Sequence, residues 1–76
     1  MAASALSRES LRLPKELNVP AKIRQEHEAG LTAYFAGHLE ESYSHIAAIL
    51  RHYEDVEETV PAPCGQLYFA LLAREV

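Results

Sequence analysis

The segment Gly30-Leu31-Thr32-Ala33-Tyr34-Phe35-Ala36-Gly37-His38-Leu39-Glu40-Glu41-Ser42 constrains the fold more than any other part of the chain. It reads as the end of one helix, a short turn at Gly37 and the start of a second helix running back along the first. Upstream, Ile23, His27, Gly30, Leu31 and Tyr34 repeat at intervals of three and four, with Lys22, Arg24, Gln25, Glu26 and Glu28 mostly off that stripe. Pro20 fits a first helical turn, where its missing N–H leaves no bond unmade, and Asn18 is placed to cap it. Downstream, Leu39, Tyr43, Ile46, Leu50 and Tyr53 step by four, three, four and three, with Val56 following and Ala47 and Ile49 broadening the stripe. The pattern predicts helices over about residues 20–36 and 39–58, paired as an antiparallel hairpin with Gly37 as a left-handed cap. Gly30 inside a helix costs about 1 kcal/mol relative to Ala. A close approach by the neighbouring helix backbone would explain it.

Pro61-Ala62-Pro63 predicts an extended break, after which Cys64 or Gly65 opens a third helix over about 65–76. Here Leu67 to Ala73 is a run of seven apolar residues with no polar face. A helix apolar all round is buried on several sides, and two short helices can cover only one. The uncovered side predicts a partner or self-association. Glu40 and Glu41 favour the N-terminal dipole of the second helix. Glu54, Asp55, Glu57 and Glu58 crowd its other end, and their repulsion predicts a frayed last turn.

With 76 residues there is room for one small domain, and the usual staples are missing. The single cysteine, Cys64, excludes an internal disulfide and suits a reducing compartment. Residues 1–19 read as a loosely ordered basic arm and 20–76 as the helical domain. Leu6, Ser10, Leu13 and Leu17 fall at helical spacing and Ser7 could cap them, but Pro14 interrupts the run. Residues 1–24 carry a formal +3 and residues 25–76 a formal −7. An acidic body repels phosphates and anionic lipid, which disfavours nucleic acid and membrane surfaces as partners. The basic arm has two outlets, an acidic groove on another protein or the chain's own acidic helices. No apolar run approaches the roughly 20 residues of a membrane helix. A cytoplasmic protein is the expectation. The alternative is a mitochondrial one, with the Ser-, Arg- and Leu-bearing residues 1–15 as presequence and Glu9 and Glu16 counting against it.

Taken together, Gly30, the pair Tyr34-Phe35, Gly37, Glu41-Ser42 and the packing positions Ile46, Ile49 and Leu50 resemble a tetratricopeptide repeat. Gln66 to Val76 would then be the first helix of a next unit. The resemblance covers roughly residues 23–56 and implies a helix–turn–helix that recognises a peptide or helix. Such units seldom stand alone, since each buries its apolar face on the next. Glu26 stands where the family has a large aromatic, Ser42 replaces the common Ala, and the closing proline is displaced. A different three-helix module, of the microtubule-interacting-and-trafficking type, has a similar hairpin.

Little in the sequence points to chemistry. His38, His45 and His52 recur every seven residues, about 10.5 Å apart along a helix. A metal ion reaches its ligands at roughly 2 Å, so the three cannot chelate together. Glu41 and His45, with His27 from the facing helix, form the alternative of a small metal-binding protein. Protonation of the histidines below about pH 6.5 would offset the acidic body and couple partner affinity to pH. Cys64 at a helix N-terminus would have a lowered thiol pKa, yet no active-site motif accompanies it. The expected role is therefore non-catalytic, without cofactor or metal: an all-α adaptor or accessory subunit of a larger complex, or a homodimeric bundle. The partner is another protein's helix or peptide, or a second copy. Its binding residues are expected to be Leu67, Tyr68, Phe69, Leu71 and Leu72, with Tyr43 and Tyr53 as further anchors.

Overall fold

Three helices follow one another in the computed structural model: α1 (Ala21–Phe35), α2 (Leu39–Val56) and α3 (Ala62–Glu75). Residues 7–75 are described. Leu6 of the arm pattern, the first six residues of the presequence reading and Val76 lie outside the described residues. The fold is all-α, with α1 and α2 packed as a hairpin and α3 laid mainly against α2. No helix among the described residues is long and apolar enough to cross a membrane.

Pro20 is the N-cap of α1, in place of Asn18, and no side chain caps the helix. Its carbonyl accepts the first helical bond, from the Arg24 N–H at 3.0 Å. At the other end Gly37 takes φ +87°. The Gly37 N–H donates to Tyr34 O at 3.1 Å and the His38 N–H to Ala33 O at 2.9 Å, which closes the helix in a Schellman motif. The same pair of bonds ends α2. Glu57 N–H donates to Glu54 O at 3.2 Å and Glu58 N–H to Tyr53 O at 3.0 Å. The acidic end is therefore closed by backbone bonds where the charge pattern predicted fraying. The residue forced into the left-handed region there is Glu57, at φ +58°.

The face that α2 buries is Ser42, Ile46, Ile49 and Tyr53. The expected stripe through Tyr43, Leu50 and Val56 is rotated outward, leaving Tyr43 and Val56 exposed. A serine can sit in that face because its hydroxyl donates to the Gly30 carbonyl at 2.8 Å. Gly30 is approached by side chains and not by the neighbouring backbone. A Cβ placed there would lie 3.4 Å from His45 Cβ and from Ile46 Cδ1.

α3 begins at Ala62, so Pro61-Ala62-Pro63 opens a helix where a break was expected. The Pro61 carbonyl accepts from Cys64 N–H at 3.0 Å and Gly65 N–H at 3.2 Å. Proline is compatible with a first turn, because N–H groups there have no intrahelical acceptor.

The arm over residues 7–19 forms no helix, and it folds back on the chain's own acidic side chains. Ser7 and Ser10 bond each other reciprocally through backbone and hydroxyl groups. Arg8 and Arg12 each lie 3.8 Å from the Glu28 carboxylate, and Arg8 donates to Thr32 Oγ1 at 2.6 Å. Leu11 and Leu13 enter the core beside Ile23, Leu31, Leu67 and Leu71. Helices this short bury a modest core, and the arm's two leucines add to it.

Candidate functional site

The seven residues expected to bind a partner divide between two environments. Leu67, Leu71 and Tyr53 belong to the chain's own core, at 0%, 1% and 5% exposure, and are not available to a partner in this fold. The hairpin and the arm together take up the inner face of α3, which the run Leu67 to Ala73 could not reveal. Tyr43, Phe69 and Leu72 remain exposed, with Phe69 at 68%, and Tyr68 is half-buried with one side against the core.

These four lie where the N-terminal half of α2 meets α3. The Tyr43 and Tyr68 rings are 6.1 Å apart between centroids, and Tyr68 and Phe69 are 5.8 Å apart. Leu72 follows Tyr68 by one helical turn. Two helices thus present one continuous aromatic row. Next to it on α2 runs a shallow cleft of about 380 Å³ lined by Tyr43, Ser44, Ala47, Ala48 and Arg51. Large rings beside exposed small residues make a ridge and a groove. That relief can seat another helix.

The histidines are placed elsewhere. His38 lies 3.6 Å from Glu41 on the exposed start of α2. His45 Nδ1 donates to Glu26 Oε2 at 2.8 Å, across the hairpin. His27 is in the core, so it does not join Glu41 and His45 as a third ligand. No group of three potential metal ligands gathers among the described residues.

His27 instead bonds the arm and α3 at once. Its Nε2 lies 2.6 Å from the Leu11 carbonyl and its Nδ1 3.3 Å from Cys64 Sγ. A carbonyl only accepts, so Nε2 carries the proton and the bare Nδ1 accepts from the thiol. Burial holds His27 below the ordinary histidine value, against the raising effects of the Leu11 bond and Glu28, with Arg24 lowering it further. Burial also pushes the Cys64 thiol up to about 11. That is the opposite of the lowered pKa a free helix N-terminus would give, because the Cys64 side chain is buried in the core.

In the sequence, neither His27 nor Cys64 stood out as a pair, since 37 positions separate them. Comparison with family models, curated proteins and solved structures finds no significant match to this chain.

Proposed function

We propose that this protein is a non-catalytic protein–protein interaction module, an adaptor or accessory subunit that docks a helix of another protein on the α2–α3 face. The observation that carries this reading is the row Tyr43–Tyr68–Phe69, continued by Leu72, next to the Ala47–Ala48 cleft. Aromatic side chains bring large apolar area at small entropic cost, and they dominate binding energy at interfaces. A phenylalanine 68% exposed on a domain this small has no role in the internal packing. Arg51 at the cleft margin favours a partner with acidic residues flanking its apolar face.

A tetratricopeptide-like hairpin is the finer reading of the fold. It is supported by the small Gly30 packed on α2, its carbonyl bonded to Ser42, and the left-handed turn at Gly37. In that reading α3 is the first helix of a following unit, and its outer face awaits a stacking helix. A binding role without catalysis also accords with a buried, protonated Cys64 thiol, and a reducing cytoplasm with its being free.

The test is a photo-crosslinking residue placed at Phe69, compared with one at Lys22, also exposed but on α1. Expected is a discrete adduct with another protein from position 69 only. Equal labelling from both positions, or none from 69, would sink the reading. Light scattering over a dilution series separates the homodimer, which would use the same face.

A further inference from the structure

A second surface, remote in character from the aromatic row, is covered by the chain itself. Ser7–Leu13 lies along α1, and each of its long-range anchors has a definable chemistry. Leu11 and Leu13 fill apolar positions in the core, at 1% and 4% exposure. The Leu11 carbonyl takes the Nε2 proton of His27. Arg8 and Arg12 approach the single carboxylate of Glu28.

The fit is loose where the arm meets α1. Both arginines stop 3.8 Å from Glu28, beyond hydrogen-bond length, and Glu28 Oε1 is buried with no hydrogen-bond partner. An open cleft of about 320 Å³ runs beside Leu13, lined by Arg12, Lys15, Arg24, His27 and Glu28. The arginines are about half exposed, and such ion pairs contribute little to holding a segment down.

At its far end the arm is held by an exposed bond from Arg8 to Thr32 at 2.6 Å, which water can replace, and at its near end by several bonds to one side chain. The Arg24 guanidinium gathers the carbonyls of Leu13 at 3.3 Å, Pro14 at 3.1 Å and Leu17 at 2.8 Å. The two shorter bonds hold the connector at Pro14 and Leu17, so that Ser7–Leu13 can leave with residues 14–19 in place once the longer bond to Leu13 is released. A pinned connector also works against exchange of arms between two copies, which needs the connector to swing out.

We propose that Ser7–Leu13 is a displaceable strap, occupying within its own chain a docking groove along α1 for a basic, leucine-bearing segment of another protein. The occupant is defined by what the strap satisfies: two leucines two residues apart, a carbonyl for His27, and arginines for Glu28. The competing segment gains where the strap is poor, by bonding Glu28 Oε1 directly and filling the cleft beside Leu13 with an apolar side chain, since Lys15 and Arg24 there repel further positive charge. Self-occupancy lowers the apparent affinity for that segment by the fraction of molecules with the strap open.

The experiment uses the full chain and a fluorescent peptide of residues 7–17 as probe. The Leu11→Ala/Leu13→Ala variant should bind the peptide roughly tenfold more tightly than the unaltered chain, because its own strap competes less. A peptide with both leucines replaced by alanine should not bind. Equal binding to both chains, or none to either, overturns the proposal. Should the variant unfold, amide exchange on the unaltered chain decides. The Ser10, Leu11 and Arg12 amides, bonded to Ser7, Arg8 and Glu9, should exchange while those of Leu31 and Tyr34 stay protected. Exchange of both sets in a single opening event makes the strap a fixed part of the fold and overturns it. A dimer of the unaltered chain that the variant loses gives the groove to a second copy, and overturns the assignment to another protein.

Discussion

At the scale of a residue, His27 is the side chain with the most to lose. Both of its ring nitrogens are engaged, one by the Leu11 carbonyl and one by the Cys64 thiol. Protonation would set an N–H against the S–H of a thiol that burial keeps protonated, and would place a charge in the core. Burial depresses the folded value below 6.5, despite the Leu11 bond and Glu28. The unfolded chain therefore takes up this proton first. The sign follows: the contribution of neutral His27 is fully present above pH 6.5 and is lost as pH falls through and below that value. Urea midpoints should drop between pH 7.5 and pH 5.5, and His27→Gln should flatten that slope while lowering stability throughout. A midpoint that stays level in the unaltered chain would show that the imidazole does not titrate as a buried base.

At the scale of an element, the two helix ends offer a matched comparison. Both α1 and α2 close with the same pair of backbone bonds, yet one uses Gly37 and the other Glu57 in the left-handed region. An L-residue with a Cβ is disfavoured there by roughly 1 kcal/mol. Glu57→Gly should raise stability by about 0.5–1 kcal/mol. It also removes one of four acids crowding that end. Gly37→Ala, where no neighbouring atom lies within 4 Å to clash, should cost about 1 kcal/mol for backbone strain alone. Chemical denaturation of the two variants checks both signs. The helical hairpin was legible because Ile23, His27, Leu31 and Tyr34 share one face and Gly37 ends it. The rotation of α2 was not. Hydropathy ranks Ser42 as a surface residue, and only the Gly30 carbonyl opposite it makes its burial favourable. The start of α3 was hidden for a related reason, since two prolines signal a break unless they fall in a first turn.

Across the whole molecule, α3 separates what holds the fold together from what is left over for a partner. Leu67 is fully buried and Phe69, two residues on, is 68% exposed. Leu67→Ala should cost about 2–5 kcal/mol in stability. Phe69→Ala should stay within about 0.5 kcal/mol of the unaltered chain while abolishing capture by a crosslinking residue placed at Leu72 on the same face. A large stability loss at both positions would mean that α3 packs differently from this arrangement. An all-apolar helix gave no means of telling the two residues apart, because the division depends on how the hairpin and the arm lie against it. That arm was the least legible part. Leu13 falls in a helical run that Pro14 interrupts, and Leu11 stands outside that run, so nothing marked the two as a buried pair. Their burial depends on contacts with residues far along the chain.

The imidazole joining residues 11, 27 and 64 also limits how this protein can vary. Replacing His27 leaves the Leu11 carbonyl and the Cys64 thiol without partners together, so tolerated changes at 27 and 64 should emerge as pairs in a randomised library. Leu11 enters the same bargain through its backbone, which every residue shares. Its side chain could drift to another apolar one while the bond persisted. A proline at position 12 would disturb the carbonyl's setting without touching any of the three. The segment with the least regular structure would thus dictate which substitutions a well-formed helix can accept.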